Sequence, residues 1–152
     1  MRFKTMTTIC GVALVSWLFL TLAPLPSVSA SSGRSGDLHV TKECSQDHGK
    51  AGDYCTITSS NLAEIKVGSK VYYDQAAGIP TGLLDSNVVL DAGDGNRALG
   101  RCTLDFTTSL GLCTFSDGTG QFTGFRARVD VDCRSGCRWD GSYRFSPESV
   151  KE

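Results

Sequence analysis

Histidine is scarce in this chain, and the sequence motif of a serine hydrolase is missing. Only two histidines occur among the 152 residues. His48 lies in a polar stretch between Cys44 and Cys55, and His39 lies close to the polar segment that follows residue 30. No G-x-S-x-G segment, the nucleophile elbow of α/β-hydrolases, is present. Both histidines are therefore interpreted as solvated loop residues, and no catalytic residue is assigned.

Neither sign of charge dominates the sequence. Fifteen Lys and Arg stand against 16 Asp and Glu, which gives a formal net charge of −1. The two signs are interspersed, so no basic surface for nucleic acid is expected. Residues 91–96 are rich in side-chain oxygens, but the EF-hand spacing of a calcium loop is absent, and Gly, Asp and Asn together are typical of a turn. We expect neither a metal nor a cofactor.

No apolar run after residue 30 is long enough to cross a membrane. The first 30 residues have the layout of a secretory signal peptide: Arg2 and Lys4, an apolar run over residues 9–20, and small residues at 28–30. That run is short for a membrane anchor, which needs about 20 apolar residues. We therefore predict a cleaved signal at 1–30, a secreted or periplasmic location, and no membrane association after cleavage.

The cysteines fit export. The chain has seven, and removal of a signal containing Cys10 leaves an even number, as expected of a disulfide framework in an oxidising compartment. Close CxxC spacing, which would favour a metal site, is absent. The spacing favours bonds between neighbours along the chain, and the predicted disulfides are Cys44–Cys55, Cys102–Cys113 and Cys133–Cys137.

The chain divides into a lead-in and a strand-rich region. Residues 31–53 are predicted to be a flexible lead-in with a disulfide loop, residues 54–146 a β domain, and residues 147–152 a tail. Apolar and polar residues alternate along the β region, as in strands with one buried face. One predicted strand includes Ile65, Val67, Val71 and Tyr73 on the same face.

The last hairpin allows its register to be predicted. If Cys133 lies opposite Cys137, apolar residues of the two strands pair with each other and charged residues fall on the other face, as expected when one face is buried. The same reasoning places Cys102 opposite Cys113. The predicted pairs of the last hairpin are Val131 with Trp139, Ala127 with Tyr143, Phe125 with Phe145 and Asp132 with Arg138.

A sheet with one apolar face must close or find a second layer. Closure also removes exposed sheet edges. We predict an all-β fold, a disulfide-stapled antiparallel β-barrel of about seven to eight strands; a β-sandwich is the alternative. The charged residues of the last hairpin are expected on the outer face.

The inward face is rich in aromatic residues. A small barrel either fills its interior with side chains or holds one small ligand. An open lumen of this composition would suit an apolar or phenolic molecule, whereas a filled core would need no ligand. The candidate lumen residues are Tyr73, Phe106, Phe115, Phe125, Trp139, Tyr143 and Phe145.

Residues 117–125, Asp-Gly-Thr-Gly-Gln-Phe-Thr-Gly-Phe, resemble the GGTG-x-F-x-G turn-and-strand signature of the dirigent and allene oxide cyclase barrels. The ending Tyr-Arg-Phe at 143–145 is similar to the closing strand of bacterial members. The resemblance covers roughly residues 54–146 and implies an eight-stranded antiparallel barrel, usually a trimer. It also implies that the barrel orients a substrate rather than supplying reactive groups. The three disulfides depart from the plant pattern.

Three functions follow as hypotheses. The first is a secreted barrel that binds or orients a small hydrophobic or phenolic molecule. The second is a surface binding or structural protein with a filled core. The third is a cyclase-like isomerase, which would need a carboxylate in the lumen, yet none of the four glutamates falls on a predicted inward strand position.

Cleavage of the signal gives the first testable prediction. Small residues precede the site after Ala30, so N-terminal sequencing of the exported protein should begin at Ser31. Recovery of the chain from the membrane fraction with Met1 still present would contradict it.

Overall fold

The computed structural model describes residues 33–78 and 82–146. They form a closed barrel in which consecutive antiparallel strands pair and β1 also pairs with β8. A 3₁₀ turn, Gly120–Phe122, connects β6 to β7. The strands are β1 Ser35–Glu43, β2 Tyr54–Ser60, β3 Lys70–Tyr73, β4 Leu83–Asp91, β5 Arg97–Asp105, β6 Leu110–Thr119, β7 Phe125–Asp132 and β8 Cys137–Phe145.

Alternation along the strands determines which side chains fill the barrel. In β7 the residues at 125, 127, 129 and 131 are buried, whereas those at 126, 128 and 130 are exposed. Successive side chains of a strand point to opposite faces of the sheet, so closure sends the apolar set inward. The charged set faces solvent, as predicted.

The predicted fold class and registers are confirmed. The sheet is antiparallel and closed, with eight strands. Cys102 lies opposite Cys113, and the strand pairing of the last hairpin agrees with the prediction. Its observed pairs are Val131 with Trp139, Ala127 with Tyr143, Phe125 with Phe145 and Asp132 with Arg138.

Two expectations about the first half of the chain are wrong. Residues 35–43, assigned to a flexible lead-in, form β1 and close the barrel between β2 and β8. Ile65 and Val67 are not in a strand, because β3 begins only at Lys70. Ile65 packs in the core from a loop, and Val67 is exposed. The predicted signal, 1–30, and the predicted tail, 147–152, lie outside the described residues.

One end of the barrel is filled by aromatic rings. Phe115, Phe122, Phe125 and Trp139 are each buried. The ring centroids of Phe115 and Trp139 are 5.5 Å apart, and those of Phe122 and Phe125 are 5.3 Å apart in an edge-to-face arrangement. Both separations are within the range in which aromatic pairs attract. This aromatic plug begins at the turn between β6 and β7, where Phe122 lies, and extends along the lumen to Trp139 near the start of β8.

The opposite end is held by disulfides. Four connections lie there, and three of them carry a bond: Cys44–Cys55 joins β1 to β2, Cys102–Cys113 joins β5 to β6, and Cys133–Cys137 joins β7 to β8. The fourth connection, between β3 and β4, contains no cysteine. The predicted pairing of neighbours is confirmed, and the three bonds fit an oxidising environment.

The disulfides should contribute to stability according to the length of chain that they close. In the chain-entropy model a loop of about 12 residues gives about 3 kcal/mol and a loop of about 5 residues about 2 kcal/mol. Replacing both Cys102 and Cys113 with Ala should therefore lower the free energy of unfolding by at least about 3 kcal/mol in urea titrations.

The matched control replaces both Cys133 and Cys137 with Ala, because that bond closes a much shorter loop. A smaller loss, about 2 kcal/mol, is expected for this variant. An unchanged free energy of unfolding in the variant lacking Cys102 and Cys113 would contradict the prediction.

Candidate functional site

A cavity of about 490 Å³ opens at the disulfide end of the barrel. This volume is within the range of about 300–1,000 Å³ that is usual for small-molecule sites. Its wall is mostly apolar and contains all six cysteines of the three disulfides, together with Leu84, Leu104 and Val131. The lumen is therefore filled at one end and open at the other.

The predicted lumen residues divide between the two ends. Tyr73 and Phe106 line the cavity, and Phe106 stands at its rim with 47% of its surface exposed. Phe115, Phe125 and Trp139 belong to the aromatic plug and do not line the cavity.

The other two predicted residues lie at the plugged end. Tyr143 and Phe145 are partly buried near the end of β8. Tyr143 lines a shallow depression on the barrel wall beside Arg126, Arg128 and Arg144. The structure therefore brings only two of the seven predicted aromatic residues to the cavity.

Lys42 is the polar residue that distinguishes this cavity. Strand β1 turns Leu38 and Val40 into the core, and alternation sends Lys42 to the same side. Only 7% of its surface is exposed, although lysine is almost never buried to this extent without a partner. It lines the cavity between the open mouth and the aromatic plug.

The ammonium of Lys42 has two aromatic neighbours and one hydrogen bond. Its Nζ donates to the hydroxyl oxygen of Tyr73 at 2.7 Å and lies 4.8 Å from the ring centroid of Trp139. Within residues 33–78 and 82–146, no carboxylate forms an ion pair with it. A buried cation without a counter-ion is costly, and a ring face compensates only in part.

The environment shifts both titratable groups of this pair. Burial lowers the pKa of Lys42 to about 8, and the negative charge of Asp47 opposes part of that shift. Burial, aided by Asp47, raises the pKa of the Tyr73 hydroxyl. Desolvation disfavours the charged form of each group. Tyr73 is therefore a neutral hydroxyl at neutral pH, while Lys42 is close to its titration midpoint at about pH 8.

The mouth of the cavity is more polar than its interior. Asp47 and His48, from the connection between β1 and β2, line it together with Thr103 and Ser109. The side chain of His48 is 66% exposed. An apolar interior with a polar rim and a few oriented polar groups is the usual composition of a small-molecule site.

Within the described part of the chain, no cluster of three His, Cys, Asp or Glu side chains is arranged to hold a metal ion. The same residues contain no helix that is long and apolar enough to cross a membrane.

Comparison of the chain with protein-family models, with curated proteins and with solved structures found no match in any of the three.

Sequence reasoning missed Lys42 because it placed residues 31–53 outside the barrel. A usable signal was present: Leu38 and Val40 alternate with His39 and Thr41, and a period of two would have put Lys42 on the inward face.

The lowered pKa of Lys42 predicts a particular dependence of stability on pH. The unfolded lysine keeps its ordinary pKa, 10.5, whereas the folded one titrates at about 8. Between these values the unfolded chain binds more protons, so stability rises with pH. From about pH 7 to about pH 9.5, Lys42 should add about 2 kcal/mol to the free energy of unfolding. Lys42→Met should lose this gain in urea titrations at the two pH values.

Lys66→Met is the matched control, because Lys66 is exposed in a loop and should leave the gain unchanged. If the parent protein and Lys42→Met showed the same change with pH, Lys42 would not be buried as described.

Proposed function

We propose that this protein is an exported barrel that binds a small, largely apolar or phenolic molecule at its open end. The observation that carries the proposal is the cavity of about 490 Å³ among the disulfides. Leu84, Leu104 and Phe106 offer apolar surface to a ligand, and Lys42 and Tyr73 offer two hydrogen-bonding groups at fixed positions. Burial of the ligand's apolar surface would supply most of the affinity.

A purely structural barrel is the competing function, and the packing argues against it. The plugged end shows that this chain can fill its interior with aromatic side chains. At the open end the wall consists of shorter groups, and the lumen is left empty around a lysine. A barrel selected only for stability would gain by filling that space, because a cavity costs dispersion contacts.

Orientation of the ligand, as in dirigent-like barrels, is the form of activity that we favour. An isomerase of the cyclase type would use a carboxylate in the lumen. Glu43 and Glu64 do not line the cavity, and the nearby acidic residue is Asp47 at the mouth. No observation on the described residues favours the cyclase over simple binding.

Export is the second part of the proposal. The three disulfides are consistent with passage through an oxidising compartment, and the signal-like segment at residues 1–30 supplies the route. Three disulfide staples also suit a small domain that keeps part of its core open, because such domains need additional constraints. Only the resemblance to dirigent and allene oxide cyclase barrels supports assembly into a trimer.

The cavity can be tested by filling it. Ala77 lines the cavity and is partly buried, so Ala77→Trp would place an indole where the ligand should lie. With 4-propylphenol as the probe, calorimetry should detect saturable binding to the parent protein and an affinity at least about tenfold weaker for Ala77→Trp, a loss of about 1.4 kcal/mol.

Ala76→Trp is the matched control. Ala76 is the preceding residue, is exposed and does not line the cavity. The Ala76→Trp variant should therefore bind 4-propylphenol with the same affinity as the parent protein. Equal affinities in all three proteins would place the binding elsewhere, and no binding by the parent to this or other apolar probes would refute the proposed function.

A further inference from the structure

Binding of an apolar molecule does not by itself require a lysine inside the barrel. Leucine or methionine at position 42 would extend the apolar wall without the cost of desolvating an amine. Lys42 is nevertheless buried, and it lines a cavity that is open to solvent. A buried amine at this position therefore indicates that the ligand carries a group with which an amine can react.

We propose that Lys42 captures an apolar aldehyde or ketone as an imine inside the open end of the barrel. This inference rests on the proposed function, since the carbonyl compound must first enter the same cavity. It adds the class of ligand and a covalent, reversible mode of binding.

The surroundings of Lys42 favour a neutral carbonyl over an anion. An ammonium could also pair with a carboxylate, but Asp47 stands at the mouth of the same cavity and its negative charge acts on both Lys42 and Tyr73. That charge disfavours a second anion and leaves an uncharged carbonyl unaffected. The apolar wall likewise favours an uncharged ligand.

Burial also prepares the amine for reaction. Only an unprotonated amine is a nucleophile, and desolvation in an apolar pocket is a usual way of obtaining one from lysine. The lowered pKa of Lys42 leaves about half of it unprotonated at pH 8. Other lysines differ in placement: Lys50 and Lys66 are exposed, and Lys70 lies over the ring of Tyr54.

The proposed reaction balances without a further reagent. The lone pair of Nζ attacks the carbonyl carbon, a C–N bond forms, and the π electrons of the C=O bond move to oxygen, which takes a proton. After nitrogen has released one proton, the resulting carbinolamine loses its hydroxyl group and the remaining hydrogen of Nζ as one molecule of water, and a C=N bond is left. Amine and carbonyl thus become imine and water, with no change of oxidation state.

Tyr73 has a positioning role in this reaction. Its hydroxyl holds the amine at 2.7 Å, and its raised pKa keeps it protonated, so that it can donate a hydrogen bond once the amine is neutral. Loss of the hydroxyl should change how the reaction depends on pH, because it removes a neighbour of the titrating amine.

The experiment uses hexanal with sodium cyanoborohydride, which reduces an imine to a stable secondary amine. Protein exported from cells that express the full chain is treated at pH 8, and the adducts are located by peptide mapping. Lys42 should carry the hexyl group at least about tenfold faster than Lys66. Because cyanoborohydride reduces only the protonated imine, the pH profile is read as the ratio of these two labelling rates, which should be greatest below pH 8. Mapping separates the N-terminal amine, which also reacts near this pH.

Two variants accompany the parent protein. Lys42→Arg keeps a positive charge but cannot form an imine, so position 42 should carry no hexyl group. Only the slow labelling of the exposed lysines and of the N-terminal amine should remain. Tyr73→Phe should still be labelled at Lys42, with a shifted pH profile. Circular dichroism and calorimetry with 1-hexanol, which has no carbonyl group, check that each variant folds and keeps its cavity.

The outcomes separate this inference from the proposed function. Binding of 1-hexanol with hexanal adducts spread over exposed lysines would overturn the imine and leave the apolar cavity standing. Binding of hexanoate that depends on Lys42, with no adduct at that residue, would likewise overturn it and identify an anion site instead. Failure of 1-hexanol, hexanal and hexanoate to bind would defeat both.

Discussion

Closure of the eight-stranded sheet forces every second side chain into one narrow interior, and the other features of the molecule depend on how that interior is filled. Aromatic rings fill the end at which β6 turns into β7, whereas shorter apolar residues and disulfides surround the other end. The difference in side-chain size between the two ends leaves a lumen that is closed by the aromatic plug at one end and open at the other. Lys42, which lies next to the aromatic plug, is buried but is not covered by protein on all sides.

The disulfides and the cavity are related features. A small domain that leaves part of its lumen empty forgoes dispersion contacts at that place. Disulfides between neighbouring strands stabilise the fold without filling the lumen, because they lower the conformational entropy of the unfolded chain. Their position, on three of the four connections around the mouth, holds the strand ends in place around the empty space. The sulfur atoms of these disulfides also belong to residues that form the apolar wall of the cavity.

The sequence predicted the second half of the barrel better than the first, for a physical reason. In the last hairpin, alternation and the Cys133–Cys137 bond act on the same register, and a shift by one residue would mix apolar and charged faces. Strand β1 lies next to a polar segment and carries a lysine at an inward position, so its pattern is short and broken. One of its two partners, β8, is distant in sequence, and local patterns do not reveal such pairing.

The candidate site was predicted less well than the fold. Aromatic residues at inward positions can either pack together or line a space, and periodicity does not distinguish the two. Trp139 and Phe115 contact each other in the plug, whereas Tyr73, at the end of β3, reaches the cavity. The difference depends on the height of each residue along the barrel, which follows from the stagger of all eight strands. Lys42 belongs to the site for the same reason, since its height places it just above the plug.

The central claim is that a desolvated amine lies in an open lumen, and its titration tests that claim most directly. Lysine Cε resonances of the protein, followed by NMR as the pH is raised and assigned with Lys42→Arg, give the midpoint of Lys42 itself. A midpoint at about pH 8 is expected, well below the value of about 10.4 for a solvated lysine. A midpoint at or above the solvated value would contradict it and would place the amine in water or beside a carboxylate.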